Sequence, residues 1–306
     1  RSRPGGVCPV PAGRSVPGPG RAECARSRPG DRLWMAAAGD QGSVKVPDMD
    51  LVGTVTVAGV TTLTLDSPAN RNALSRALIT ELRTALDAAA ADPETRVVVL
   101  SHTGPVFCSG ADLKETAATA PGERLPVELM ADLLAEIWEF PKPVVARIAG
   151  PARAGGLGLI GAADLAVCAR SATFAFTEVR LGVIPAVISA TVLPRLAPRA
   201  AAELYLTGDV FDGARAAEIG LVTAAVPDDD LDRTVAGYCA SLIKGGPLAL
   251  AGTKQLLRRT RSESIRAELA DLSDRSAGYF TSAEGREGVA ARREKRDPNW
   301  VPAQSR

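Results

Sequence analysis

The residues of this chain whose types and spacing suit chemistry are one carboxylate in an apolar segment, two glycine-lined strand ends and a single histidine. The carboxylate is Glu178, in Thr177-Glu178-Val179-Arg180-Leu181-Gly182. Buried among Phe174, Phe176, Val179, Leu181 and Ile184, it would take a raised pKa and could trade a proton near neutral pH. Left in solvent, it would be a plain loop glutamate or a partner for Arg180. The first glycine-lined end lies in residues 143–163, PVVARIAGPARAGGLGLIGAA. An apolar strand over 144–149 breaks at Gly150-Pro151 and gives way to Ala154-Gly155-Gly156-Leu157-Gly158, a helix start almost free of side chains. Such a start presents bare N–H groups at the positive end of a helix. It suits an anion, or an oxygen that becomes one during a reaction. The second end is Phe107-Cys108-Ser109-Gly110-Ala111-Asp112, which follows the buried strand Val97-Val98-Val99-Leu100 and again exposes backbone.

Two other readings compete for these residues. Gly156-x-Gly158-x-x-Gly161 has the dinucleotide-fingerprint spacing, and Glu178 lies near its acidic position. That fingerprint needs its first glycine at the strand end, yet residues 150–155 intervene, and close helix–sheet packing accounts for the same glycines. A Ser/His/Asp triad would have to use His102, the only histidine. A lone histidine at a strand end more simply meets a polar neighbour, so catalysis is expected to rest on a carboxylate and on backbone. Five scattered cysteines, with no C-x-x-C and no histidine cluster, point neither to a zinc site nor to a disulfide framework. A reducing, cytoplasmic compartment and no metal are expected.

The elements that must position these groups read as α/β. Of 306 residues, 46% are apolar and 23% charged, enough for a sizeable core. Lys+Arg 36 against Asp+Glu 35 offers no general attraction to nucleic acid or an acidic membrane, and no apolar run is long enough to span a bilayer. Residues 1–48 are rich in Pro, Gly, Arg and Ser and are expected to be a disordered extension, with Met35 and Met49 as candidate starts. Paired strands follow, turning at Ala58-Gly59. A helix then carries Leu74, Leu78, Leu82 and Leu86 on one stripe, and the strand 97–100 comes next. Strand, helix, strand implies a parallel sheet. A mobile loop is expected over 115–122 and a helix over 125–140. Two short strands flank residue 170, helical patterns occupy 187–196, 198–206 and 213–219, and a last short strand spans 221–226. Helices follow, including 253–261, 265–280 and 283–296. The spans expected are therefore a core over 49–250 and a helical C-terminal region over 251–306.

In this order and spacing, the pieces resemble the crotonase (enoyl-CoA hydratase/isomerase) superfamily over residues 52–300. The matching segments are Pro68-Ala69-Asn70-Arg71-Asn72-Ala73-Leu74, Phe107 through Glu115, Ala149 through Asp164, and Glu178 through Pro185. Leu206-Thr207-Gly208, Gly220-Leu221-Val222, Glu284-Gly285, Lys295-Arg296 and Trp300 complete the set. The resemblance implies a ββα spiral core with a helical C-terminal trimerisation region, giving trimers or dimers of trimers. It implies an acyl-CoA substrate, coenzyme A being part of that substrate rather than a cofactor. It assigns the backbone N–H groups of Ala111 and Gly155 to a thioester oxyanion, and Glu178 to proton transfer at the carbon beside the thioester. By the same resemblance Arg71, Ala73, Leu74, Ser109, Ala111, Asp112, Leu113, Lys114 and Gly155 line the CoA path. Lys295 or Arg296 would reach a phosphate or simply end a solvated helix.

One departure divides the implied activities. Two-glutamate hydratases carry a second carboxylate where this chain has Gly158. Glu178 alone would then hydrate a 2-enoyl-CoA with water held by neighbours, or shuttle a proton as a Δ3,Δ2-enoyl-CoA isomerase. A third possibility is that the fold binds acyl-CoA without turnover. The run Thr177 to Gly182 followed by Ala186-Val187-Ile188-Ser189 is similar to a methylglutaconyl-CoA-hydratase-like bacterial branch that also carries this glycine. The resemblance therefore implies a hydratase first.

Overall fold

The computed structural model describes residues 51–120, 122–124, 126–258 and 282–301. The expected 1–48 extension, Met35 and Met49, and the helix expected over 265–280 lie outside the described residues.

A hairpin opens the fold. Strands β1 (Val52–Val57) and β2 (Val60–Leu65) pair antiparallel. Ala58 at φ 49° and Gly59 at φ 84° form the tight turn whose twist suits the strands. Helix α1 (Arg76–Ala91) crosses over, burying Leu78, Leu82 and Leu86 against the hairpin. Fully burying a leucine is worth about 1.5–3 kcal/mol, so this stripe is what pins the helix. Strand β3 (Val97–His102) then joins β2 in parallel, every residue buried as a covered parallel strand requires.

The chain winds on in turns of long strand, short strand and helix. After β3 come α2 (Leu113–Ala118) and α3 (Pro126–Glu139). Strand β4 (Val144–Ile148) is followed by short β5 (Ala152–Arg153) and α4 (Gly155–Ala162). Strand β6 (Leu165–Ala169) is followed by β7 (Thr173–Ala175), a 3-10 turn (Glu178–Leu181), α5 (Ala186–Val192) and α6 (Pro198–Thr207). Strand β8 (Phe211–Asp212), α7 (Gly213–Glu218) and β9 (Ala224–Val226) make a further turn. The large sheet has the order β1-β2-β3-β4-β6-β9 and the small one β5-β7-β8. This is the expected α/β spiral. Helices α8 (Leu231–Ile243), α9 (Pro247–Arg258) and α10 (Ala283–Glu294) follow. The boundary expected between residues 250 and 251 falls inside α9.

Two local readings are corrected. Leu74 does not join the α1 stripe, because the Ser75 hydroxyl caps the helix by accepting from Leu78 N–H at 3.2 Å. Residues 115–118 of the expected loop are helical, the end of α2, because Asp112 caps that helix.

Candidate active site

Three neighbouring parallel segments end at one place. Cys108 bridges Ala152, and Ala152 pairs with Phe174, all in parallel. Going forward along each segment reaches Ala111, Gly155 and Glu178 respectively, so register alone brings the three residues to the same end of the small sheet. Ligands of open α/β sheets gather at such carboxyl ends.

The Ala111 loop is threaded between two supports. On one side Leu74 N–H donates to Gly110 O (2.8 Å), Asp112 N–H to Leu74 O (3.3 Å) and Ser109 N–H to Arg71 O (3.1 Å). On the other, Arg153 N–H donates to Cys108 O at 2.9 Å and Phe107 N–H to Pro151 O at 3.0 Å. The pattern consumes the amides on either side of Ala111, whose own N–H has no acceptor among the described residues. Gly155, the first residue of α4, likewise has an unpaired N–H. The two stretches touch, since a Cβ on Gly110 would lie 3.3 Å from Gly155 N and 2.9 Å from Ala154 Cβ. Ala154, at φ 46° and ψ −115°, holds a backbone conformation that L residues rarely adopt, and so turns the chain into α4. The site thus holds a pair of unspent donors beside a strained turn.

Glu178 opens the 3-10 turn after β7, 9% exposed, with Oε2 buried and without a hydrogen-bond partner among the described residues. Burial raises its pKa above the ordinary carboxylate value, opposed only by its own backbone N–H. It is not a partner of Arg180, which pairs with Asp209 and donates to Thr207 O. The expected apolar surround is half right: Phe174 and Phe176 are fully buried, but Leu181 and Ile184 project into solvent because the turn carries the chain outward after Glu178.

The remaining expected residues frame the Ala111 loop. Ala73 and Leu74 are buried; Arg71, Leu113 and Lys114 are exposed; Ser109 is half-buried. Asp112 is occupied structurally: Oδ1 accepts from Lys114 and Glu115 N–H, and Oδ2 from Asn70 Nδ2 at 2.7 Å. The Asn70 bond, with the two amides, holds its carboxyl below the usual range. Asn72, expected only as part of the loop lining the CoA path, is instead fully buried at φ 51°. Its Oδ1 accepts from Ser67 N–H, and its Nδ2 donates to Thr103 O and Val106 O, fixing the turn on which Leu74 stands. An asparagine in a polar turn was the available signal.

Gly156, Gly158 and Gly161 lie inside α4 as packing residues. A Cβ on Gly156 would meet Cys108 O at 2.8 Å, one on Gly158 would meet Ile188 Cγ2 at 2.8 Å and Leu134 Cδ1 at 3.0 Å, and one on Gly161 would meet Thr191 O at 2.8 Å. The dinucleotide spacing is therefore a consequence of close packing. His102 is spent too: Nε2 accepts from Ala149 N–H at 3.1 Å, tying the ends of β3 and β4 together. Among the described residues no cluster of three or more His, Cys, Asp or Glu is placed to hold a metal.

The fold thus sets two unspent backbone amides and a buried carboxylate at one end of the small sheet of an α/β protein. The Enoyl-CoA hydratase/isomerase family model matches residues 56–303, and the chain belongs to that family. It is 36% identical over 246 residues to the Rhodobacter capsulatus "Probable enoyl-CoA hydratase", covering 79% of this chain and 95% of that one. A crystal structure of an enoyl-CoA hydratase from Mycobacterium avium is 45% identical with a TM-score of 0.63, covering 82% of this chain and 100% of that one. For one from Shewanella pealeana the identity is 31% and the TM-score 0.77, with 83% and 97% covered.

Proposed function

We propose that the chain is an enoyl-CoA hydratase that adds water to a 2-enoyl-CoA with Glu178 as its one acid–base group. The observation that carries this is the convergence of two unspent amides, on Ala111 and Gly155, with a buried unpartnered carboxylate. The water oxygen bonds to C3, the C2–C3 π electrons move onto the thioester oxygen, and the two amides hold the oxyanion. Glu178 accepts the water proton and returns it to C2. Each preorganised donor is worth roughly 3–4 kcal/mol, and aimed in advance it needs no reorganisation. The raised Glu178 pKa brings the carboxyl closer to neutral pH, which favours the return of the proton.

The CoA path of this reading runs along Arg71, Ala73, Leu74, Ser109 and Ala111 to Lys114, with Asp112 shaping the loop rather than meeting the ligand. The branch is methylglutaconyl-CoA-hydratase-like, supported by Gly158 with Ile188. Trimers or paired trimers are supported by apolar side chains left exposed at Leu181, Val183, Ile184, Leu206 and Val210. A cytoplasmic, reducing setting accords with free thiols at Cys108, Cys168 and Cys239. Among the described residues no helix is long and apolar enough to cross a membrane.

One observation favours a second reading. Ile188 and Leu134 leave no room for a second carboxylate at Gly158, and a single carboxylate suffices for a Δ3,Δ2-enoyl-CoA isomerase. Crotonyl-CoA and a 3-enoyl-CoA, offered in parallel, separate the two. The proposal expects loss of the conjugated-thioester absorbance and a 3-hydroxyacyl product from crotonyl-CoA. Conversion of only the 3-enoyl substrate to its 2-enoyl isomer would make the chain an isomerase.

A further inference from the structure

A hydratase with one carboxylate must hold its water by some other group. Gly158 cannot contribute one, because the space a side chain would enter is filled by Ile188 Cγ2 and Leu134 Cδ1. Glu178 Oε2 has a counterpart on the neighbouring helix. Tyr205 Oη is also buried and without a hydrogen-bond partner among the described residues. The nearby Ser189 hydroxyl spends its own proton on Pro185 O at 2.6 Å, so it is not a donor to the phenol oxygen.

The two groups belong to packed elements. The Tyr205 ring stacks on Phe176 with centroids 4.3 Å apart, two residues before Glu178. The last turn of α6 is tied to the Glu178 turn by Arg180 Nε donating to Thr207 O at 3.1 Å. At the helix end, a Cβ on Gly208 would come within 3.1 Å of Phe176 O. Tyr205 is therefore fixed as an aromatic on the helix packed against the Glu178 turn. Its ring is partly buried against Phe176, and its hydroxyl has no hydrogen-bond partner among the described residues. Buried polar atoms are nearly always bonded, and one small oxygen-bearing molecule between a carboxylate and a phenol would satisfy both.

We propose that the Tyr205 hydroxyl is the second polar group of this site, donating a hydrogen bond to the water oxygen that Glu178 deprotonates. The inference rests on the hydratase reading of Glu178. In the step, one water O–H bond breaks, its proton passes to the Glu178 carboxylate, and the oxygen bonds to C3. Tyr205 keeps its own proton throughout. Burial, its largest influence, pushes its phenol up, and the Glu178 charge acts in the same direction, so it stays a donor at neutral pH.

The test compares Tyr205→Phe with Glu178→Gln in two reactions: hydration of crotonyl-CoA, and exchange of the C2 proton of butyryl-CoA in deuterated water. Exchange needs the carboxylate and the oxyanion donors but no attacking water. Phenylalanine preserves the stack on Phe176, and melting of each variant checks that the fold is kept. The proposal expects Tyr205→Phe to lower kcat for hydration at least tenfold with a smaller change in KM, while exchange stays within about threefold of wild type. Glu178→Gln should lose both reactions. Unchanged hydration in Tyr205→Phe overturns the proposal, and so does a parallel loss of hydration and exchange, which would mark a merely structural role. Wild-type exchange without hydration removes the role of Tyr205 but leaves that of Glu178. A wild type that does neither overturns the underlying reading, and the role of Tyr205 with it.

Discussion

The two ends of helix α4 are built on opposite plans. At its start, Gly155 carries no side chain and its amide has no acceptor among the described residues. At its end three carbonyls in a row are taken by arginine side chains. Arg195 donates to Gly161 O and Ala163 O, both at 3.1 Å, and Arg258 donates to Ala162 O at 3.2 Å. Asp164, just past the helix, pairs with Arg258 at 2.6 Å and with Lys254 at 2.8 Å, and also accepts from Val144 N–H. The Trp138 ring meets both Arg195 and Arg258, whose guanidinium carbons stand 5.0 and 4.3 Å from its centroid. Burial, first of all, pushes Lys254 down to about 8 despite Asp164, with the neighbouring arginines adding to that.

The difference teaches how a fold can afford an unsatisfied site. A helix eight residues long and buried all round has little stability of its own. Cations at its negative end and a carboxylate that joins them to β4 fix its position, in the sense its dipole favours. Its positive end is then free to remain incomplete, as the proposed oxyanion role requires. One end carries stability and the other, on the proposed function, carries reactivity.

Crowding the incomplete end should have the largest effect. Gly156→Ala places a methyl 2.8 Å from Cys108 O, a backbone atom already held by Arg153 N–H. Helix and loop must separate, which misplaces both donors. Steady-state kinetics should show a loss of about 10²–10³-fold in kcat, the cost of one oxyanion donor, with about 1–3 kcal/mol of stability lost to overpacking.

Breaking the complete end should reverse that balance. Asp164→Ala removes the only carboxylate facing Arg195, Lys254 and Arg258 among the described residues. Removing one partner of a buried ion pair costs about 3–5 kcal/mol, and chemical denaturation should read a loss near the lower figure, because Asp164 is partly exposed. Activity of the fraction still folded should fall by less than tenfold. A variant that lost activity but no stability would dissolve the contrast between the two ends.

A smaller effect comes from the strand end beside the site. His102 must stay neutral to accept from Ala149 N–H, and burial, its largest influence, lowers its folded-state pKa. The unfolded chain takes up a proton below about pH 6.5 while the folded chain does not. Stability is thus present above that pH and lost as pH falls from there toward the folded-state pKa, by at most about 1.4 kcal/mol per pH unit. Urea midpoints at pH 7.5 and 5.5 should reveal this loss in the wild type and a smaller one in His102→Gln.

What was legible in the sequence follows from the range of the interactions. The strand 97–100 and the α1 leucines announced themselves because periodicity is local. The Ala111 and Gly155 stretches were legible as runs of small residues, and Glu178 as a charge among aromatics. The limit of α1 at Ser75 and the short helix after Asp112 were misread because a single side-chain cap decided each. The end of α4 was illegible: Arg258 and Asp164 are 94 residues apart, and on the sequence each is one more charge in a helix or a strand. Tyr205 was hidden in the same way, as an apolar-looking position of an amphipathic helix.

The central claim is that the start of α4 and the Ala111 loop hold a thioester oxygen. It is tested most directly by the infrared carbonyl stretch of crotonyl-CoA, labelled with carbon-13 at the thioester carbonyl, bound to Glu178→Gln so that no turnover intervenes. Two amide donors should shift that stretch to lower frequency than in free crotonyl-CoA, and adding Gly156→Ala should abolish most of the shift. A bound carbonyl that absorbs where the free thioester does would contradict the account, whatever the activity of the enzyme.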